Sequence, residues 1–311
     1  MNQLKNVIIT GATGFIGQYL AEKLIEKNVE VFALIRNESK TRLRCEESKL
    51  LHVIKYAPEN LTQLETDLPK IQYDACFNLA WGGVAGAERQ NYRLQLGNIE
   101  HTLDLMHLLS QYGCKRFIGA SSVSEYECAL FMPVDEARVG GRFVYSAAKQ
   151  ASHYMNKCLS QAWNIPYINA CIANTYGEYG LDSLILHDTI ITLLKNEETA
   201  FSDCTQYYDF LYVKDVVDGL IAIAQNGRDY CSYYVGSNSP KPLKYYIQTI
   251  GDCIAPHTEL GFGKRPSDGM NLPKEVFDNS KLREHTGFSP IYDYENTITK
   301  VIDWYKKRLT L

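Results

Sequence analysis

At 311 residues, with 32 Lys and Arg against 36 Asp and Glu, the chain carries a formal charge of −4 and a pI near 6.0. That length can bury a large core, as one elaborated domain or two lobes. The mild acidity gives no reason to expect nucleic-acid or anionic-membrane binding, and no apolar run reaches the roughly 18 residues that span a bilayer. Nine cysteines are scattered singly (45, 76, 114, 128, 158, 171, 204, 231 and 253), with no C-x-x-C pair. They read as reduced core residues of a cytoplasmic protein, not as disulfides or ligands. No His, Cys or carboxylate cluster has metal-ligand spacing, so no metal is expected. The chain enters its first strand at once, which leads us to expect no signal peptide. Most of the 22 tyrosines are expected to serve packing.

Residues 5–10 are a short apolar run of strand type. They lead directly into Gly11-Ala12-Thr13-Gly14-Phe15-Ile16-Gly17 and then into a helical pattern over 18–27. Strand, glycine turn and helix in succession are the context of a dinucleotide-binding turn, here spaced G-x-x-G-x-x-G. Glycines let the backbone approach a pyrophosphate, which sits at the positive end of the helix. The next strand, 29–35, ends in Ile35-Arg36-Asn37 with no carboxylate at its tip. An acidic residue there reads the adenosine ribose of NAD, whereas a guanidinium can pair with a 2′-phosphate. Arg36 therefore favours NADP(H), with NAD(H) still open. The basic cluster at 40–44 is a solvated loop or a second phosphate contact.

Residues 74–80 form another strand, closing in Leu79-Ala80 and the loop Trp81-Gly82-Gly83. A helix over 91–112 places Leu96, Ile99, Leu103, Met106 and Leu109 as its apolar positions. A strand at 115–120 runs into Ser121-Ser122, and a helix over 143–163 carries Tyr145 and Lys149. Four residues apart, the phenol and the ammonium share one helix face. A phenol with a pKa of about 10 is a poor acid or base at neutral pH, and a neighbouring cation stabilises its phenolate. A further strand covers 165–173. The βαβα alternation predicts an α/β fold with a Rossmann-type, doubly wound parallel sheet, whose ligands bind beyond the carboxyl ends of the strands. After 174 the pattern loosens into a helix at 181–195, an extended stretch at 205–212, a helix to 224, and a loop-rich remainder. We expect a dinucleotide-binding domain from 1–173 and about 206–228. A smaller, interleaved substrate-binding lobe would take about 174–205 and 229–311.

So placed, the motifs resemble the extended short-chain dehydrogenase/reductase family, in particular its nucleotide-sugar epimerases, dehydratases and ketoreductases. The likeness rests on the glycine turn, Asn78-Leu79-Ala80, Asn98, Ser121-Ser122-Val123-Ser124-Glu125-Tyr126 and Tyr145-x-x-x-Lys149. In the second lobe it rests on Asn174-Thr175-Tyr176-Gly177, Tyr208-Asp209-Phe210, the Arg265-Pro266-Ser267-Asp268 segment, Asp278-Asn279-Ser280-Lys281 and Thr286-Gly287-Phe288-Ser289-Pro290. The resemblance implies that Tyr145 exchanges a proton with the sugar oxygen, that Lys149 lowers the Tyr145 pKa and bonds the nicotinamide ribose, and that Ser122 orients the reacting oxygen. It implies cofactor contacts from Gly11, Thr13, Gly14, Phe15, Ile16, Gly17, Arg36, Leu79, Ala80, Asn98, Tyr145 and Lys149. Substrate contacts would come from Trp81, Ser122, Val123, Asn174 and Arg265, the last two on a nucleotide diphosphate. It also implies a homodimer through the helices at 91–112 and 146–163.

Three departures narrow the reaction. The Asp-Glu pair that family dehydratases carry after the serine position is Val123-Ser124 here, which argues against dehydration. The residue before Asp209 is Tyr208 where the family has Arg, and Trp81 is bulkier than usual. An NADP(H)-dependent reductase of a nucleotide-linked 4-keto, 6-deoxy sugar in surface-polysaccharide precursor synthesis is the favoured expectation. An NAD-retaining 4-epimerase is the alternative, and a non-catalytic dinucleotide-binding scaffold a minor one.

Overall fold

The computed structural model describes residues 3–37, 39, 43–132, 143–267, 269 and 271–309. Residues 40–42 of the basic cluster and Asp268 of the Arg265 segment lie outside them.

The first half alternates strands and helices: β1 (Asn6–Thr10), α1 (Phe15–Glu26), β2 (Glu30–Arg36), β3 (Leu51–Tyr56), α2 (Thr62–Asp67), β4 (Ala75–Asn78), α3 (Tyr92–Gln111), β5 (Phe117–Ser122), α4 (Ser124–Phe131), α5 (Phe143–Ala162) and β6 (Tyr167–Ile172). Then come β7 (Asn174–Tyr176), α6 (Ile185–Leu194), β8 (Tyr207–Tyr208), β9 (Phe210–Tyr212), α7 (Val213–Asn226), β10 (Ser232–Val235), β11 (Lys241–Pro242), α8 (Leu243–Ile254), α9 (Ser280–Thr286) and α10 (Tyr294–Arg308).

Seven strands form one parallel sheet in the order β10-β6-β5-β4-β1-β2-β3. Helices cover both faces, so β1, β4 and β6 read as continuous apolar runs and not as alternating ones. The expected Rossmann-type α/β sheet is the observed one. Strand order reverses between β1 and β4, and the crevice that opens at such a point is where these folds bind ligands. The glycine turn after β1 and the Leu79–Trp81 segment after β4 both border it.

Several elements differ from the sequence reading: β3, α2 and α4 were not expected, and the remainder read as loop-rich carries the helices α8, α9 and α10. Ser232–Val235 falls in the stretch assigned to the second lobe, yet it pairs in parallel with β6 as the seventh main-sheet strand. A four-residue apolar run carries no sign of which sheet will take it. Leu96, placed on the apolar face of α3, is 60% exposed. The helix instead buries Ile99, Leu105, Met106, Leu108 and Leu109.

A second hydrophobic cluster packs α6, α8 and α10 around the paired strands β7 and β9, with β8 and β11 forming a short antiparallel pair. Tyr176, Tyr212, Tyr246, Tyr294 and Tyr305 fill its core. Many tyrosines are thus spent on packing, their rings meeting mostly edge to face. The two clusters share α1, because Ile16 and Tyr19 pack against both cores.

Candidate active site

The glycine turn is required by close backbone approach. Gly11 has φ +67°, and a Cβ there would lie 2.9 Å from the Ala80 nitrogen. A Cβ on Gly17 would collide with the Gly11 carbonyl oxygen. Gly14 caps α1 without a side-chain bond, so the helix presents uncapped N–H groups to the crevice. On the β4 side, the Thr10 hydroxyl donates to Asn78 Oδ1 at 2.7 Å and accepts from the Ala80 N–H at 3.0 Å. Asn98 clamps the next turn through both amide atoms, each 2.9 Å from the Gly82 backbone.

Between these walls runs a cleft of about 570 Å³. Gly11, Thr13, Gly14, Leu79, Ala80 and Asn98 line its middle, and Arg36, Tyr56 and Glu59 line the end over β2 and β3. The bare glycine cradle, uncapped helix end and long cleft fit a dinucleotide. Phe15, Ile16 and Gly17 are in the turn but not in the cleft wall. Phe15 packs edge-on to His187, and Ile16, partly buried, packs against the core.

Tyr145 and Lys149 project from α5 toward the end of β5, and each is only 6% exposed. Lys149 Nζ donates to the Ala120 carbonyl at 2.9 Å and lies 3.8 Å from the centre of the Trp81 ring. Burial pushes its pKa down to about 7. Burial pushes the Tyr145 phenol up, opposed by the Arg89 guanidinium 4.3 Å from its ring centre and by a hydrogen bond with Ser122. Ser122, Tyr145 and Lys149 therefore converge as expected, beside Val123, which is buried. Trp81 meets Tyr145 edge-on, and its indole N–H donates to Gln95 Oε1 at 2.8 Å.

Asn174 begins β7, opposite Phe210 of β9, and Arg265 is exposed with its backbone N–H on the Phe201 carbonyl. Neither lines the 570 Å³ cleft, and nor do Ser122, Tyr145 or Lys149, which reach it only through Trp81. Asp209, in contrast, is a structural anchor: it is fully buried and accepts from the Tyr234 hydroxyl, the Ser237 N–H and the Ser237 hydroxyl.

The sequence reading missed Arg89, Gln95, Glu59, Glu125 and His153. Arg89 and Gln95 come from a short loop and a helix turn that only folding brings to Tyr145 and Trp81. His153 was findable: it follows Lys149 by four residues, on the same face of α5. Glu125 was hidden inside a serine segment read for its first residues only.

A family model described as the NAD dependent epimerase/dehydratase family matches residues 7–236, and the chain belongs to that family. Protein CapI of Staphylococcus aureus is 23% identical over 332 residues, covering 96% of this chain and 98% of that protein. The UDP-N-acetylglucosamine 4-epimerase of Methanobrevibacter ruminantium M1, solved with UDP-N-acetylmuramic acid, superposes with a TM-score of 0.82 at 23% identity, over 98% of this chain and 99% of that one. The dTDP-glucose 4,6-dehydratase of Bacillus anthracis, solved with NAD, gives 0.81 at 17% identity, over 98% of each chain.

Proposed function

We propose that this protein is an NADP(H)-dependent reductase of a nucleotide-linked keto sugar. The observation that carries the oxidoreductase reading is the convergence of Ser122, Tyr145 and Lys149 beside Trp81, which also lines the glycine-cradled cleft, with Arg89 over the phenol. Gly11, Gly14 and Asn98 would hold the dinucleotide, which in its reduced form would supply the hydride for the carbonyl carbon. Tyr145 gives its phenolic proton to the carbonyl oxygen, which Ser122 orients, so that a ketone becomes an alcohol. Lys149 and Arg89 stabilise the phenolate left behind until solvent returns a proton. Arg36 at the adenosine end supports NADP(H) through its match to a 2′-phosphate.

A second reading is an epimerase that retains NAD. Glu59 lines the same end of the cleft and offers a carboxylate to a ribose hydroxyl, and a solved neighbour is named as a 4-epimerase. The Val123-Ser124 pair continues to argue against dehydration.

Purified protein incubated with NADPH and a panel of dTDP-, GDP-, CDP- and UDP-linked keto sugars tests the proposal, read as loss of nicotinamide absorbance. Oxidation of NADPH with one member supports it. No oxidation across the panel, with tightly held NAD in the isolated protein, replaces it with the epimerase.

A further inference from the structure

A second acid–base pair lies directly behind Lys149, on the side away from the cleft. Glu125 is 9% exposed, although its neighbours at the start of α4 could have turned it to solvent. One carboxylate oxygen accepts from the Ser121 hydroxyl, and the other lies 3.0 Å from His153 Nδ1. His153 Nε2 is in turn 3.2 Å from the Ser232 hydroxyl on β10. With the proton on Nδ1, the imidazole donates to Glu125 and accepts from Ser232, so both contacts are made at once.

Lys149, Glu125 and His153 line one small pocket of about 10 Å³, with Asn156 and Tyr167. A space of roughly that size takes a single water. Asn156 Oδ1, in a side chain 1% exposed, has no hydrogen-bond partner among the described residues. Trp81 lines both this cavity and the main cleft, so its indole is the wall between them.

We propose, resting on the oxidoreductase reading above, that Glu125 is a positioning residue of the reaction: held by His153, it is the buried counter-charge that keeps the Lys149 ammonium protonated, with one water in the shared cavity joining Lys149, Asn156 and the pair. A buried ammonium with no compensating charge gives up its proton. Burial lowers the pKa of Lys149, and Glu125 is the foremost influence opposing that fall. The titratable groups around Glu125 are Lys149, His153 and Tyr145 of α5, Tyr167 and Cys171 of β6, and Tyr126 and Cys128 of α4. Among the described residues lining the cavity, Lys149 is the one lysine or arginine. His153, 3.0 Å from the carboxylate, holds it in place, and Lys149 shares the same pocket.

Glu125→Gln keeps the shape and removes the charge. Affinity for NADPH, followed by nicotinamide fluorescence, is measured from acid to alkaline pH in the wild type and the variant. Wild-type binding weakens as Lys149 loses its proton. In E125Q that midpoint moves to lower pH by roughly one pH unit, the effect of removing one nearby opposite charge. Glu125→Asp, which keeps the charge, returns the midpoint most of the way to wild type. Should E125Q prove unstable, E125D and E125N repeat the comparison one methylene shorter. Coincident midpoints in charged and uncharged variants, with or without a lowered melting temperature, overturn the inference and leave Glu125 a packing residue. No NADPH or NADH binding by the wild type at any pH overturns the dinucleotide reading itself, and the inference with it.

Discussion

The ammonium of Lys149 sits 3.8 Å from the centre of the Trp81 indole ring, so its charge faces a π surface and not the open cleft. A cation so desolvated gains about 2 kcal/mol from the ring, which offsets part of the burial penalty. The indole is fixed by its bond to Gln95 and stands where the cleft ends. A dinucleotide reaching Lys149 must border Trp81 or displace it. We expect cofactor titration to change tryptophan emission, and Trp81→Phe to remove most of that change while Trp163 and Trp304 remain. Emission changes of wild-type size in the variant would place the cofactor elsewhere.

Tyr145→Phe removes one hydroxyl from a buried ring and leaves its contacts with Trp81 and Arg89. Turnover should fall by roughly a hundredfold or more, the usual worth of a positioned general acid. Dinucleotide affinity should stay close to wild type. Activity equal to wild type would remove Tyr145 from the chemistry.

Arg89 favours the phenolate of Tyr145, so its removal raises the phenol's pKa further above the usual value. The oxidative direction needs the phenolate as base. Arg89→Ala should therefore move the acid limb of the alcohol-oxidation profile to higher pH. At neutral pH that direction slows by roughly tenfold for every pH unit the limb moves. The reductive direction, which uses the protonated phenol, should lose less. Equal losses in both directions would mark Arg89 as a substrate contact instead.

The fold and the shared helix face of Tyr145 and Lys149 were legible because each rests on local pattern: apolar runs for buried parallel strands, glycine spacing for the turn, and a four-residue interval for the phenol and the ammonium. What surrounds that pair was not legible. Arg89 reaches Tyr145 from a loop more than fifty residues away, and no spacing encodes that approach. Glu59 reaches the cleft from beyond β3, a strand whose alternating pattern was weak. Likewise Ser232–Val235 joins the main sheet only because β6 presents a free edge to it. Long-range placement decides such residues, and one sequence carries no record of it.

Arg36 ends β2 in the cleft wall near Tyr56, where its charge partly opposes the burial that pushes the Tyr56 phenol up. If it pairs with a 2′-phosphate, Arg36→Ala should weaken NADPH by at least roughly tenfold, the value of a lost charge-assisted bidentate contact. NADH affinity should change little. Isothermal titration with both cofactors measures the difference, and equal losses would argue that Arg36 stacks on adenine or serves the fold.

Two glycines, Gly17 in the turn behind the cleft and Gly97 in the cleft wall, should respond in opposite ways to the same methyl group. Gly17 lies in the first turn of α1, where a Cβ would strike the Gly11 carbonyl, so Gly17→Ala must open the turn that brings backbone N–H groups to the cleft. It should lower the melting temperature and abolish measurable dinucleotide binding. Gly97 is inside α3, and a Cβ there meets nothing within 4 Å. Alanine in a helix interior is favoured over glycine by about 1 kcal/mol, so Gly97→Ala should raise the melting temperature. Its methyl enters the cleft wall beside Asn98, and any loss of cofactor affinity it causes reports how closely the dinucleotide passes α3. Thermal melts with and without NADPH separate the two effects. If Gly17→Ala melts like wild type and still binds, the glycine turn is not the phosphate cradle.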